Sequence, residues 1–355
     1  MRSVTLTLAT STGGVGAHVL SLVQGLAADG WRVQVCGPQA TDDLFGFSGA
    51  GAAFAPISGR PFDPAAARTV RRVAASSDVV HAHGLRAATV AGLARRHPLV
   101  VTWHNAVLEE SGARRQLLAV GERFVAKSAD IALCASADLE DRVRALGGRD
   151  VRPGPVGLRL PEAARFPTEV RAELGVGGAP LLLSVGRLHP QKAHDVFIRA
   201  VARLRSSRPE VRAVIAGDGP LRAALAGLIA ELNAPVTLLG RRSDVSDLLR
   251  AADVVVCTSV WEARALSVQE ALVAGRPVVA TRVGGLPGLV GDAGVLVPAG
   301  DVDALAASLD KIVSDESWAA TLAARSAEAG RRLPTEHDTV AQVEAVYREL
   351  LGASR

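Results

Sequence analysis

The segment AADVVVCTSVWEARALSVQEALVAGRPVVAT, residues 251–281, places a helical pattern between two short β-branched runs. The runs 253–259 and 277–281 are apolar almost throughout, which is typical of strands covered on both faces of a parallel sheet. Residues 266–275 between them have the pattern of a crossover helix, which two parallel strands require. This stretch therefore predicts a strand–helix–strand unit.

The same alternation extends outward from this unit in two series. The first series predicts strands at 4–9, 31–36, 78–82, 99–103 and 130–135, with helices at 15–29, 64–76, 84–96, 110–128 and 137–147. The second predicts strands at 181–186, 211–217, 236–240, 253–259 and 277–281, with helices at 193–206, 219–233, 244–251, 266–275 and 301–313. Such alternation predicts an α/β protein with two doubly wound Rossmann-like domains.

The boundary between the two series falls at RPGPVGLRLP, residues 152–161, whose proline and glycine content indicates a linker. We therefore expect an N-terminal Rossmann-like domain over 1–157 and a C-terminal one over 158–335. A last amphipathic helix, expected over about 336–355, is a candidate to pack back on the first domain. Open α/β sheets bind ligands beyond the carboxyl ends of their strands, so two facing domains would form an interdomain cleft.

Composition excludes several classes of protein. The 355 residues are 48% hydrophobic with a net charge of only +4, which argues against disorder. No run of ~18 apolar residues predicts a membrane span, and the N-terminus lacks a signal-peptide core, so we expect a cytoplasmic protein. Cys36, Cys134 and Cys257 are far apart and predict buried thiols rather than a disulfide or zinc site. The few aromatics and the absence of a recognised module argue against nucleic-acid binding.

The first predicted strand runs into TSTGGVG, residues 10–16, and then directly into a helix. Adjacent glycines let backbone amides approach an anion at a helix N-terminus. The motif is neither GxGxxG nor a P-loop, and the second strand ends at Cys36-Gly37 without an acidic residue for a ribose, which disfavours a nicotinamide cofactor. A tight strand-to-helix turn without a ligand is the alternative.

Charged residues follow two predicted strands of the second series. In SVGRLHPQKA, residues 184–193, Arg187 and Lys192 could clamp a diphosphate, and Lys192 is one of only three lysines beside 37 arginines. In WEARALSVQE, residues 261–270, Glu262 and Glu270 could accept hydrogen bonds from polyol hydroxyls. Solvated loop charges, and a helix start that simply favours a carboxylate, are the alternatives.

Histidines and one aspartate pair complete the set of candidates. His81 and His83 lie at a strand end in HAHG, and His104 follows the next strand in TWHN. A single histidine at such a place is more often structural than functional, but for His104 we favour the functional interpretation. Asp301 and Asp303 imitate a metal-binding pair, but Asp301 stands where a helix N-cap is expected.

In this order, the motifs resemble those of the family 4 glycosyltransferases, retaining enzymes of GT-B fold. Each motif alone is weak, whereas the ordered series, which spans nearly the whole chain, is specific. The matching parts are GGVG, TWHN, GRLHPQK, AGDGP (216–220), LLG (238–240), AADVVV (251–256), Glu262-x7-Glu270, EALVAGRPVVAT (270–281), VGG (283–285) and VLVPAGD (295–301).

The resemblance implies the following activity and residues. A bacterial enzyme of this kind would move a sugar, with retention, from a nucleotide-diphosphate sugar to a hydroxyl of a cell-envelope glycan, a lipid or a small metabolite. UDP is the favoured nucleotide, and neither a metal nor a cofactor is implied, since the nucleotide sugar is a substrate. The implied catalytic residues are His104, Arg187, Lys192 and Glu262. The implied donor-binding residues are Gly14, Gly16, Arg187, Lys192, Glu262, Ala265, Leu266 and Glu270.

Several positions depart from the family pattern. The usual Glu-Gly-x-Gly-Leu is Glu-Ala-Arg-Ala-Leu over 262–266, Ala193 replaces a glycine, and Gly288 replaces a glutamate. If the replaced glycines adopt a positive φ, alanine is strained at each site by ~1 kcal/mol or more. As a hypothesis, Arg264 favours an anionic sugar or acceptor.

Two other functions stay open beside the transferase. One is a catalytically degenerate GT-B protein that binds a nucleotide sugar or a partner, and the other is a sugar-nucleotide epimerase. Arg68, Arg71 and Arg72 fall at helical spacing, which would suit peripheral contact with the inner face of a membrane. A solvated helix face is the favoured interpretation of these arginines.

Overall fold

The computed structural model describes residues 2–106 and 112–353. The chain divides into two compact units, which are described separately below. Unit 1 comprises Met1–Gly157 with Pro334–Arg355, and unit 2 comprises Leu158–Leu333. Residues 110 and 111 of the helix predicted at 110–128, and residues 354 and 355 of the last helix, lie outside the described residues.

Unit 1 is built on a parallel sheet of seven strands. The strands are β1 (Ser3–Leu8), β2 (Arg32–Gly37), β3 (Ala53–Pro56), β4 (Val79–His83), β5 (Leu99–Trp103), β6 (Ile131–Cys134) and β7 (Val151–Pro153). Its helices are α1 (Gly14–Ala28), α2 (Gln39–Phe45), α3 (Pro64–Ala74), α4 (Leu85–Ala94), α5 (Gly112–Ser128), α6 (Ala137–Ala145) and α15 (Glu336–Ala353). The strand order β3-β2-β1-β4-β5-β6-β7 is doubly wound, as the alternation predicts.

The two outer strands of this sheet were not predicted. Strand β3 consists of only four residues and ends in Pro56, and β7 consists of three residues and ends in Pro153. Proline is tolerated at sheet edges because no neighbouring strand needs its missing N–H. Short edge strands of this kind lack the apolar run that identifies the central ones.

Helix α15 is part of the core of unit 1. It packs on α1, where a side chain on Gly25 would collide with Val340. The Trp31 Nε1 donates to Glu344 at 2.9 Å, and the buried Tyr347 hydroxyl lies 2.6 Å from Nδ1 of His81 on β4. These contacts tie the end of the chain to the centre of the first sheet.

Unit 2 is built on a parallel sheet of six strands. The strands are β8 (Leu181–Val185), β9 (Arg212–Ala216), β10 (Val236–Gly240), β11 (Val254–Cys257), β12 (Val278–Thr281) and β13 (Gly294–Val297). The helices are α7 (Pro167–Glu173), α8 (His194–Leu204), α9 (Arg222–Leu232), α10 (Val245–Ala251), α11 (Leu266–Val273), α12 (Leu286–Val290), α13 (Val302–Ser314) and α14 (Glu316–Arg331). The strand order is β10-β9-β8-β11-β12-β13.

Apolar residues cover both faces of this second sheet. Leu181 and Leu183 of β8 pack in one buried cluster, whereas Leu182 of the same strand packs in another with Val254. Because successive side chains of a strand point to opposite faces, the two clusters lie on the two sides of the sheet. The apolar run of β8 is therefore explained by burial on both faces, as predicted.

Two further predictions can be compared with the structure. The three thiols at Cys36, Cys134 and Cys257 are free and buried, as predicted. Within residues 2–106 and 112–353, no helix has the length and apolar character needed to cross a membrane.

Candidate functional site

In unit 2, the loops that follow β8 and β11 are joined by an ion pair. Lys192 ends a short 3₁₀ turn after β8, and its Nζ lies 2.5 Å from Oε1 of Glu262, in the loop after β11. The side chains are only 20% and 9% exposed, and the Ser259 hydroxyl donates to the same oxygen at 2.7 Å. The structure thus brings together two of the residues predicted for the site.

Three more hydrogen bonds hold the same two loops together. The Val260 amide donates to the Gln191 carbonyl at 2.9 Å, and the Gln191 side-chain amide donates to the Trp261 carbonyl at 3.0 Å. The Thr258 hydroxyl donates to the Lys192 carbonyl at 2.9 Å. The backbone around the ion pair is therefore fixed independently of it, which favours a preorganised site.

Two glycines permit close approaches around this site. Gly284 has φ 50°, and a Cβ there would lie 2.2 Å from the Glu262 carbonyl oxygen, which accepts from the Gly285 amide at 2.8 Å. A Cβ on Gly217 would lie 1.8 Å from the Gly186 carbonyl oxygen. The VGG and AGDGP motifs thus have a steric basis, since no side chain fits where the backbone segments pass.

The remaining residues predicted for this site lie on the same loops and on helix α11. Arg187 is exposed in the loop after β8 and makes no ion pair within the part of the chain that the structure describes. Ala265 is the N-cap of α11 and Leu266 its first residue, so the free amides of the helix N-terminus lie beside them. Burial raises the pKa of Glu270, on the same helix, to about 7.

The departures from the family pattern have different structural consequences. Ala265 has φ −76°, and Ala263 is not among the residues with positive φ, so the strain considered for these two positions is absent. Ala193, in contrast, adopts φ 45° and ψ 45°. The Arg264 Nε donates to the side-chain oxygen of Gln269 at 3.0 Å, and burial lowers the pKa of this arginine.

In unit 1, the glycine loop begins helix α1. Gly14 is the first helical residue and is exposed. The Gly16 amide donates within the loop, to the Ser11 hydroxyl at 2.9 Å, and a Cβ on Gly16 would meet the Phe45 ring at 2.2 Å. Gly16 therefore has a packing reason of its own, in agreement with the tight turn considered above.

Three histidines of unit 1 form a buried cluster, which we call the histidine cluster: His18, His83 and His104. Each offers one ring nitrogen, and the three nitrogens lie within 4.8 Å of one another. Nδ1 of His83 lies 3.3 Å from Nε2 of His104. Sequence reasoning missed His18, although its position five residues after Gly13 places it in the first turns of a helix that begins at the ligand-binding edge of the sheet.

Burial lowers the pKa of every histidine in this region. The pKa of His18 falls to about 4 and that of His81 to about 3, while those of His83 and His104 lie well below the ordinary value. Neighbouring imidazoles add to this effect for His81, His83 and His104. Burial thus favours the neutral form of all four rings.

The aspartate pair at the start of α13 has structural partners. The Asp301 side chain accepts from the Ala304 amide at 2.9 Å, which confirms the predicted N-cap. Asp303 pairs with Arg203 at 2.6 Å on the surface. Among the described residues, the histidine cluster is the one group whose geometry suits a metal ion.

Comparison with known proteins identifies the family. A model described as "Glycosyl transferase 4-like domain" matches residues 13–159, and one described as "Glycosyl transferases group 1" matches residues 179–315. The chain belongs to the family 4 glycosyltransferases. The predicted resemblance and the GT-B fold class are thereby confirmed.

Two curated relatives show how much of this family 4 glycosyltransferase is similar in sequence to known proteins. A D-inositol 3-phosphate glycosyltransferase of Mycobacterium marinum is 33% identical over 308 residues, and the match covers 78% of this chain and 64% of the relative. The Mycobacterium tuberculosis protein of the same name is 36% identical over 268 residues, covering 66% of this chain and 54% of the relative. The chain thus spans only about half to two thirds of the length of these relatives.

The crystal structure of Anabaena HepE in complex with UDP superposes with a TM-score of 0.85 at 22% identity, covering 98% of this chain and 100% of that one. At 22% sequence identity, this structural similarity shows a shared fold and nothing about function.

The strained backbone at Ala193 predicts a difference in stability between two matched glycine variants. Ala193→Gly and Ala265→Gly each remove one buried methyl group and each add the same freedom to the unfolded chain. Only Ala193 has positive φ, so its glycine variant should be more stable than the Ala265 variant by about 1–2 kcal/mol. Urea unfolding of both variants measures this difference, and equal stabilities would show that Ala193 is not strained.

The pKa of Glu270 predicts a pH-dependent stability. The pKa of Glu270 in the folded protein, about 7, lies above the ordinary 4.5. The stability that the protonated side chain provides is therefore complete below pH 4.5 and is lost as the pH rises through 7. The Glu270→Gln variant stays neutral and avoids this loss. It should therefore gain up to roughly 3 kcal/mol in unfolding free energy over the wild type at pH 8, but little at pH 4.5.

Urea unfolding at the two pH values checks this expectation. Glu231→Gln, which changes an exposed carboxylate, serves as the control and should show no such difference. The burial argument fails if Glu270→Gln changes the unfolding free energy equally at both pH values.

Proposed function

We propose that this chain is a retaining glycosyltransferase that moves a sugar from a UDP-sugar to a hydroxyl group of its acceptor. The observation that carries the proposal is the fixed Lys192–Glu262 pair on the two loops at the carboxyl ends of β8 and β11. That edge is where open α/β sheets bind their ligands. A cation for the diphosphate and a carboxylate for sugar hydroxyls stand there side by side.

The donor diphosphate would be held by Lys192 and Arg187. Lys192 is already oriented by Glu262, and the exposed guanidinium of Arg187 is available for a bidentate contact with phosphate oxygens. Both cations would stabilise the negative charge that develops on the leaving diphosphate. The proposal therefore assigns no metal ion or cofactor to the transfer, because these two side chains supply the positive charge.

The carboxylates would bind the hydroxyl groups of the donor. Glu262 would accept hydrogen bonds from the transferred sugar, and Glu270 from the nucleotide ribose. The free amides at the start of α11, beside Ala265 and Leu266, would bind phosphate or sugar oxygens. Gly14 would offer a further amide, whereas Gly16 is engaged with Ser11 and would act by permitting the close turn.

Retention of configuration is proposed to follow from a reaction on one face of the sugar. The bond from the anomeric carbon to the diphosphate oxygen breaks as the acceptor hydroxyl forms its bond on the same face, and the departing phosphate takes the acceptor proton. No protein nucleophile is needed, and His104 would contact the sugar. Catalysis would rest on positioning and electrostatic stabilisation.

The comparisons support the choice of nucleotide and suggest the acceptor to test first. The Anabaena HepE structures were determined with UDP and with UDP-glucose. The curated relatives are named for D-inositol 3-phosphate, so a phosphorylated polyol comes before glycans and lipids among the acceptors. Peripheral contact with a membrane stays a prediction that rests on the exposed Arg68, Arg71 and Arg72 of α3.

Calorimetric titration with UDP and with GDP tests the donor site. We expect micromolar binding of UDP to the wild type and binding weakened by about 100-fold or more in the Lys192→Ala, Glu270→Ala double variant, since two charge-assisted contacts are lost. A Lys311→Ala, Glu231→Ala double variant removes the same residue types from exposed positions and should bind as the wild type does.

The other outcomes distinguish the alternatives. Tighter binding of GDP would replace UDP as the proposed nucleotide. Binding of UDP that the Lys192→Ala, Glu270→Ala variant retains would place the site elsewhere. Binding without sugar transfer to any acceptor would favour the catalytically degenerate protein.

A further inference from the structure

His18 is a polar side chain buried without a partner. Its ring is only 5% exposed, and neither Nδ1 nor Nε2 has a hydrogen-bond partner within the described residues. The Nε2 of His83 lacks one as well. A buried polar group left unsatisfied reduces stability, and such groups are rare enough in native proteins that an unseen water or ion is one of the standard explanations.

The residues around His18 favour a bound ion as the explanation for its unpartnered nitrogens. Its two nearest polar rings, His83 and His104, have their centroids 5.3 Å and 5.2 Å away and come from two other segments, the end of β4 and the residue after β5. The three segments thus bring three imidazole rings together. We propose that His18, His83 and His104 bind one transition-metal ion, with zinc as the ion to test.

The spacing of the nitrogens fits tetrahedral coordination after a small adjustment. Two histidine nitrogens bound to one zinc at ~2.0–2.1 Å lie roughly 3.3 Å apart. The His83 Nδ1 and His104 Nε2 have this separation already, at 3.3 Å. Since the three ligand atoms lie within 4.8 Å of one another, reaching this separation requires shifts of at most about 1.5 Å.

The chemistry of the ligand set selects the class of ion. Three imidazole ligands suit zinc, cobalt, nickel and copper, whereas magnesium and calcium prefer oxygen ligands. A three-histidine site leaves one tetrahedral position for water or an oxygen of a bound molecule. His104, 8% exposed, is the most exposed of the three ligands.

His81 packs against the histidine cluster but is not one of the proposed ligands. Its ring centroid lies 4.2 Å from that of His83, and both of its nitrogens are already engaged, with the Tyr347 hydroxyl at 2.6 Å and the Thr102 hydroxyl at 2.7 Å. These contacts fix the ring against which His83 packs.

The simplest competing account is a metal-free cluster held by a hydrogen bond between His83 and His104. That account gives one hydrogen bond to His83 and His104 but leaves both nitrogens of His18 unpartnered. The two accounts make opposite predictions for His18, which is the residue to change.

Metal binding can be measured without any assay of sugar transfer, so this inference stands or falls independently of the proposed function. Tag-free protein, dialysed against a chelator, is titrated calorimetrically with ZnCl₂ and, in parallel, followed by visible absorption with CoCl₂. We expect one ion per chain and the intense d–d bands of tetrahedral cobalt. Failure of the wild type to bind zinc at micromolar concentration would overturn the proposal.

His18→Leu is the decisive variant, because leucine has a similar volume and leaves no polar atom unsatisfied. It should weaken zinc binding by at least about 100-fold, since even the loss of an outer partner costs 10–100-fold. His337→Ala, which removes an exposed histidine, should bind zinc as the wild type does. Equal zinc affinity in His18→Leu and the wild type would also overturn the proposal.

Thermal unfolding gives a second readout on the same proteins. Without metal, His18→Leu should melt at or above the wild-type temperature, because the unpartnered ring is gone. Added zinc should raise the melting temperature of the wild type and leave that of His18→Leu unchanged. Should the leucine variant fail to fold, His104→Leu takes its place in both measurements with the same expected loss of zinc binding.

Discussion

The ion pair between Lys192 and Glu262 is the interaction on which the proposed donor chemistry depends. A partly buried pair of this kind is costly to break from one side, because the remaining charge is left without a partner. Here the cost is limited by the Ser259 hydroxyl, which donates to the same Glu262 oxygen. In the proposed donor site, a diphosphate would replace Glu262 as the partner of Lys192.

Close contacts between backbone segments hold the loops that carry Lys192 and Glu262. Gly284 lets one loop cross the Glu262 carbonyl, and Gly217 lets another cross Gly186. The first approach holds the loop after β11 against the loop after β12, and the second holds the loop after β8 against the loop after β9. The loops after β8 and β11 are joined directly by the hydrogen bonds of Val260 and Thr258 to the Gln191 and Lys192 carbonyls, so the cation and the carboxylate meet with little freedom. In such a site the rate enhancement would come from positioning and electrostatics, and the fold supplies both.

Much of the architecture could be predicted because the central strands are buried on both faces and are therefore mostly apolar. Strand β8 and its neighbour β11 are examples. The strands β3, β7 and β13 were missed because they are short and lie at sheet edges, where burial does not demand a long apolar run. Edge strands are defined by their neighbours more than by their own sequence.

The candidate site was predictable where residues are close in sequence to a strand end, and less so elsewhere. The meeting of Lys192 with Glu262 depends on the packing of two loops 70 residues apart, which no local pattern contains. His18 was missed because it lies within an apolar helix, where a histidine has no sequence signature. The consequence of each glycine replacement also required the backbone: only Ala193 has a positive φ, while Ala265 is an ordinary N-cap.

The donor role of the Lys192–Glu262 pair is tested most directly by comparing two ligands on one variant. Glu262→Gln keeps the shape of the side chain but removes its charge, and it releases Lys192 from its ion pair. Calorimetric titration should then show UDP bound as tightly as by the wild type or more tightly, and UDP-glucose bound about tenfold more weakly, because only the sugar loses a charge-assisted contact. Equal weakening of UDP and UDP-glucose, or no effect on either, would contradict the account.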